Sequence, residues 1–153
     1  MSSYQAKFQV WRGDAGAGAL RDYAVEVNEG EVVLDIIHRL QATQAPDLAV
    51  RWNCKAGKCG SCSAEVNGMP RLLCMTRMST FAEDETVTVT PIRTFPVIRD
   101  LVTDVSWNYQ KAREIPSFDP GDVKPPRTGS QRRLIRNHAA VRQINSKGTK
   151  WMN

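Results

Sequence analysis

Four cysteines fall between positions 54 and 74, and they constrain this chain more than any other feature of its 153 residues. Cys54, Cys59, Cys62 and Cys74 give the spacing C-x4-C-x2-C-x11-C, and the 79 residues that follow contain no cysteine. Four thiolates form a soft donor set that takes zinc or an iron–sulfur cluster. Structural zinc sites usually combine two short knuckles of the C-x2-C kind. Here three thiols share one loop and the fourth comes from a separate segment, which is the plant-type [2Fe–2S] arrangement. Two disulfides would suit an exported protein, but Met1 to Val10 has no apolar signal core, so a reducing, cytoplasmic setting is expected. A zinc-stabilised module remains the alternative from the residues alone.

The residues between the cysteines suit a cluster. Gly57 and Gly60 let the backbone curl so that amide N–H groups approach sulfur. Ser61 and Ser63 are expected to add hydroxyl donors, and Lys55 and Lys58 to favour the more negative, reduced form of the cluster. Trp52, two residues before Cys54, reads first as a core residue and second as a cover over the cluster.

Around the loop, periodicity predicts an α+β layout. Tyr4 to Trp11 and Leu20 to Val27 alternate as two strands, joined by the turn GDAGAGA (13–19). That stretch lacks the G-x-x-x-x-G-K pattern and a following helix, so it is not a phosphate loop. Val33, Ile36, Ile37 and Leu40 have helical spacing, with Pro46 beyond the end. Ser63 to Val66, Asn67-Gly68 and Arg71 to Cys74 read as a short hairpin, and Thr86 to Thr90 as a strand. Val97, Ile98, Leu101, Val102 and Val105 are spaced as a helix after Pro96, running on through Trp107 towards Glu114. His38 is expected on a helix surface and His138 in the tail, neither with ligand-like company. The strand–strand–helix–loop–strand order is compatible with a β-grasp, with one helix packed on the sheet.

Charge divides the chain. Residues 1–119 hold 13 Lys/Arg against 15 Asp/Glu, and residues 120–153 hold eight against one. The body is mildly acidic and the tail basic, so the overall charge of +5 is not a reason to expect nucleic acid. Four prolines between Pro116 and Ser130 mark a linker, and Gln131 to Asn145 carries a weak helical stripe among arginines. The 41% apolar and 24% charged composition excludes wholesale disorder, and no apolar run reaches the ~20 residues of a membrane span.

The block RWNCKAGKCGSCSAEVNGMPRLLC, followed by PIRTFPVIRDLVTD, resembles the iron–sulfur subunit of succinate dehydrogenase and fumarate reductase over residues 4–119. Its gap of 11 before the last cysteine fits that family better than plant ferredoxins. The resemblance implies a β-grasp ferredoxin-like domain over residues 1–106 and a connection over 107–119, while residues 120–153 read from their own composition as a basic tail with a partly helical stretch. It also implies Cys54, Cys59, Cys62 and Cys74 as ligands of a [2Fe–2S] cluster, no catalytic residue on this chain, and an FAD-containing flavoprotein as electron donor. Family members continue into a second domain with further cysteines for [4Fe–4S] and [3Fe–4S] clusters, which this sequence lacks. The chain would then be a truncated or altered product, or half of a split subunit, with membrane-anchor subunits or a separate cluster-bearing chain completing the path to quinone. The setting implied is cytoplasmic, or peripheral on the cytoplasmic or matrix face of a respiratory membrane. A stand-alone [2Fe–2S] ferredoxin for another oxidoreductase is the runner-up.

Overall fold

Alternating side chains set the sheet. In strand β1 (Ser3–Gly13), Ala6, Phe8 and Val10 point one way and are buried, as strand geometry places residues i, i+2 and i+4 on one face. Strand β2 (Gly18–Asn28) pairs antiparallel along the full length of β1, from Ser3 opposite Asn28 to Gly13 opposite Gly18, and adds Val25 and Val27 to the same face. The GDAGAGA stretch is the hairpin connection, as its composition predicts: the Asp14 carboxylate accepts the N–H groups of Gly16 (2.8 Å) and Ala17 (3.3 Å).

The structure, a computed structural model, describes residues 3–117. The 120–153 tail, His138 and most of the Pro-rich linker lie outside the described residues. Met1–Glu114 makes up one compact unit.

Helix α1 (Val33–Thr43) turns Val33, Leu34, Ile36, Ile37 and Leu40 into the core. Its first turn has no side-chain cap from Val32; instead the Asp35 carboxylate accepts the Val32 N–H at 3.2 Å. Strands β3 (Ser63–Val66) and β4 (Met69–Leu72) form a hairpin across Asn67-Gly68, both with positive φ. The second strand thus ends two residues earlier than its sequence suggests, because the chain must turn there to deliver Cys74. Strand β5 (Thr86–Thr90) runs parallel to β1 and antiparallel to β3. The five-stranded order is β2-β1-β5-β3-β4. The parallel β1/β5 pair needs a long crossover, and α1 and the cysteine loop lie within it. One core joins the inner sheet face to α1, with Val87 and Val89 of β5 and Ala64 and Val66 of β3.

The expected helix from Val97 is corrected. Val97–Arg99 (β6) and Val102–Thr103 (β7) form a two-stranded hairpin, and only Ser106–Glu114 (α2) is helical. The spacing of apolar residues suits both forms, but Val97, Ile98, Val102 and Thr103 are β-branched and stiff in a helix. Asp100, at φ +47°, turns the chain back between them. Helix α2 begins where Asp104 accepts the Ser106 N–H at 2.9 Å, and it buries none of its residues.

An acid-sensitive contact locks α1 to the hairpin. Arg39 donates to Glu31 Oε1 (2.5 Å) and Oε2 (2.8 Å) and also reaches the Glu26 carbonyl, while the Asn28 N–H donates to Glu31 Oε2 at 2.8 Å. Hydrogen bonding from Arg39, opposed by burial and aided by Asn28, brings the Glu31 carboxyl down to about 2 from an ordinary 4.5. A depressed carboxylate contributes its stability in full above the unfolded value and loses it as pH falls towards the folded one. Melting temperature should therefore fall more steeply between pH 4.5 and about 2 in the wild type than in Glu31→Gln. Parallel curves for the two proteins would contradict this.

Candidate metal centre

The loop from Arg51 to Ser61 has no regular structure and curls through three left-handed residues, Lys55 (φ +53°), Gly57 (+69°) and Gly60 (+71°). At Gly57 a Cβ would also lie 2.9 Å from Met75 Cγ, so that side chain would have to shift. The curl turns amides inward, so that Cys54 Sγ accepts from the N–H of Ala56 (3.3 Å), Lys58 (3.3 Å) and Cys59 (3.4 Å). Donors aimed at a sulfur suit the charge that a metal-bound thiolate carries.

Cys62 and Cys74 reach the site from the rigid body. Cys62 immediately precedes β3, and the Leu73 N–H donates to its carbonyl at 3.1 Å. The turn after β4 carries Cys74 and is closed by Met75 and Thr76 N–H donation to Leu72 (2.9 and 3.1 Å). Helix α1 grips the same turn, with the Leu34 N–H donating to Leu73 (3.1 Å) and the Val33 N–H to Thr76 (2.9 Å). Free amides at a helix start are ordinarily unpartnered; here they hold the fourth cysteine in place.

All four thiols are free: Cys54 and Cys59 lie on the loop, and Cys62 and Cys74 at its junction with the sheet. Cys59 is exposed, and hydrogen bonding from Ser61, then from Cys54, pulls its thiol down to about 6. Cys62 is buried, and burial pushes its thiol up. Among the described residues, no three His, Cys, Asp or Glu side chains converge as a single-ion site. A tetrahedral zinc needs all four donors around one point, whereas a two-iron cluster spreads four thiolates over two metals. The donor set and the inward amides fit the two-iron group.

Some neighbours differ from their sequence reading. Ser63 Oγ donates to the Gly60 carbonyl at 2.6 Å and so braces the loop rather than a sulfur. Trp52 is not a core residue: it is 47% exposed, with its ring edge-on to His38 at 4.9 Å and the Lys55 ammonium 4.8 Å from its centroid. His38, expected on a helix surface, is half-buried against that indole, with Nε2 buried and unpartnered. Beside the exposed Cys59 opens a cleft of about 630 Å³, whose apolar wall includes Ile92, Phe95 and Tyr109. Sequence reasoning missed Asp100 altogether.

A β-grasp body that presents four thiols in this order on one exposed loop and one adjoining turn defines a ferredoxin-type [2Fe–2S] domain. Residues 7–110 match the family described as a 2Fe-2S iron-sulfur cluster binding domain, and the chain belongs to that family. Its cofactor is a [2Fe–2S] cluster, which displaces the zinc alternative. The chain is 30% identical over 129 residues to the mitochondrial succinate dehydrogenase [ubiquinone] iron-sulfur subunit 1 of Oryza sativa subsp. japonica, covering 81% of this chain and 45% of that protein. It is 36% identical over 108 residues to the fumarate reductase iron-sulfur subunit of Mycobacterium tuberculosis, covering 71% and 42%. A chain of the Mycobacterium smegmatis Sdh1 complex in the apo form superposes with a TM-score of 0.77 at 69% identity, covering 93% of this chain and 60% of that one. This chain thus spans less than half the length of these two curated relatives.

The lysines permit a prediction. An exposed charge contributes up to about 1 kcal/mol, which corresponds to roughly 40 mV for one electron. Replacing Lys55 and Lys58 together by Ala should lower the midpoint potential by some tens of millivolts. An unchanged potential would remove both residues from its tuning.

Proposed function

We propose that this chain is the [2Fe–2S]-bearing part of an iron–sulfur subunit of the succinate dehydrogenase/fumarate reductase type, with Cys54, Cys59, Cys62 and Cys74 as the cluster ligands. When bound, the cluster supplies one-electron chemistry. Cys54 and Cys59 on an exposed, amide-lined loop, with Cys62 and Cys74 at its junction with the sheet, are the observation that carries this reading; the relatives named above support the kind of complex. The chain's own work is to hold the cluster at its surface in a fixed setting. Cys54 and Cys59 would take one iron and Cys62 and Cys74 the other, with the inward amides of residues 56, 58 and 59 offsetting thiolate charge.

The donor partner is an FAD-containing flavoprotein subunit, where substrate chemistry resides. The loop suits such a contact. Trp52 and Met75 are exposed apolar side chains at its rim, and Arg51, Lys55 and Lys58 are exposed cations with no acid between positions 51 and 60. Onward transfer to quinone needs redox centres beyond the one that these four cysteines can hold. No helix of the described residues is long and apolar enough to cross a bilayer, and the reading places the domain peripherally at the cytoplasmic or matrix face of a respiratory membrane.

Mixing the loaded chain anaerobically with a flavoprotein subunit of this type and succinate tests the reading. Bleaching of the visible absorption is expected. A cluster that dithionite reduces, but that flavoprotein and succinate leave oxidised, would instead favour a stand-alone ferredoxin.

A further inference from the structure

We infer that Asp100 is a positioning residue for the cluster loop, a buried carboxylate that fixes the chain entering Cys54 without touching a ligand. The inference rests on the ligand assignment proposed above. Asp100 is 2% exposed and left-handed at φ +47°, a backbone state that a non-glycine residue keeps only where its surroundings impose it.

Its contacts supply that imposition. Oδ1 accepts from Arg12 Nε (3.1 Å) and the Gly13 N–H (3.0 Å), and Oδ2 accepts from the Ala49 N–H (2.8 Å). Its own N–H donates to the Gly13 carbonyl at 2.7 Å. One side chain therefore joins the end of β1 to the segment that leads into the loop. Neighbours repeat the link. The Leu101 N–H donates to Ala49 (3.1 Å), Arg51 Nη1 donates to the Thr103 carbonyl (3.2 Å), and Arg12 Nη2 donates to Asp47 Oδ2 (2.7 Å).

These bonds matter because of where they fall. Residues 49–62 belong to no helix or strand. Their far end is fixed by β3; their near end is held by the bonds of Asp47, Ala49 and Arg51 to the β1 end and the β6–β7 hairpin. Ala49 lies five residues before Cys54, and Arg51 three. A change at Asp100 therefore reaches Cys54 and Cys59 through the backbone, while Cys62 and Cys74 stay gripped by the sheet and α1. Polar partners one step removed from a metal's ligands commonly alter its retention by ten- to a hundredfold.

Asp100→Ala removes all three carboxylate bonds. Asp100→Asn leaves one acceptor oxygen, which cannot satisfy the N–H groups of both Gly13 and Ala49, since the amide nitrogen only donates. Arg51→Leu removes only the bond to Thr103, and Glu31→Gln loosens the fold at a distance from residues 47–51. The loaded chain carrying each substitution is challenged with an iron chelator; loss of visible absorption gives the release rate, visible circular dichroism the cluster's geometry, and a separate melt the stability.

Release is expected to be about tenfold faster in Asp100→Ala, with an altered visible dichroism, and intermediate in Asp100→Asn and Arg51→Leu. Glu31→Gln, which loosens α1 and not residues 47–51, should release more slowly than Asp100→Ala at equal distance below its melting temperature, with wild-type dichroism. Equal release from the Asp100 and Glu31 variants at equal distance below their melting temperatures would overturn the inference. If Asp100→Ala fails to fold, wild-type release from both Asp100→Asn and Arg51→Leu would overturn it equally. A wild-type chain that takes up no iron would overturn the ligand assignment as well; unaltered variants of a chain that does load would overturn this inference alone.

Discussion

Replacing Cys62 by Ala should abolish the [2Fe–2S] centre, leaving a colourless protein with little iron or acid-labile sulfide. Cys62 is firmly held: it is buried, it adjoins β3, and its carbonyl takes the Leu73 N–H. An alanine there leaves one of the two irons with a single protein thiolate. The expected loss of affinity exceeds the roughly hundredfold effect of removing an outer-shell partner. Cys59→Ala should remove the cluster as thoroughly while leaving the apoprotein's melting temperature almost unchanged, because Cys59 is exposed and fills no core volume. Iron and sulfide per chain, measured with the melts, check both statements. A cluster of wild-type spectrum in Cys62→Ala would exclude Cys62 as a ligand.

Phe8→Ala should be the most damaging change outside the cysteines, costing about 3–5 kcal/mol of stability. Phe8 is 1% exposed on β1, paired across the sheet with Tyr23 on one side and Val87 on the other. It therefore sits where β2, β1 and β5 share one face beneath α1, and little nearby can collapse into the space it leaves. Lys7→Ala, one residue away on the exposed face, should cost less than about 0.5 kcal/mol. Urea denaturation of both variants measures the difference. The effect reaches the site as well, because α1 packs on this face and its first amides hold the turn bearing Cys74. Equal midpoints for the two variants would contradict the assigned core.

What the sequence disclosed follows from which forces are local. The cysteine spacing is a covalent pattern and needs no tertiary knowledge, and the period-2 runs of β1, β2 and β5 announce a half-buried sheet. The 97–105 segment was illegible for a definite reason. Its apolar spacing suits a helix, and the hairpin is chosen by bonds to Asp100 from Arg12, Gly13 and Ala49, residues 51 to 88 positions away. Trp52 is similar: its place outside the core depends on His38, brought beside it by α1, and on the left-handed turn of Lys55. Ser63 looked like a sulfur donor by proximity in sequence, yet its hydroxyl faces the Gly60 carbonyl.

The central claim is that this chain folds around one two-iron cluster held by all four of its cysteines. Anaerobic reconstitution with iron and sulfide, followed by metal and sulfide analysis and spin counting on the reduced protein, tests it most directly. The account predicts about two irons and two sulfides per chain and one unpaired spin after one-electron reduction. A colourless protein with one tightly bound zinc and no sulfide would contradict it.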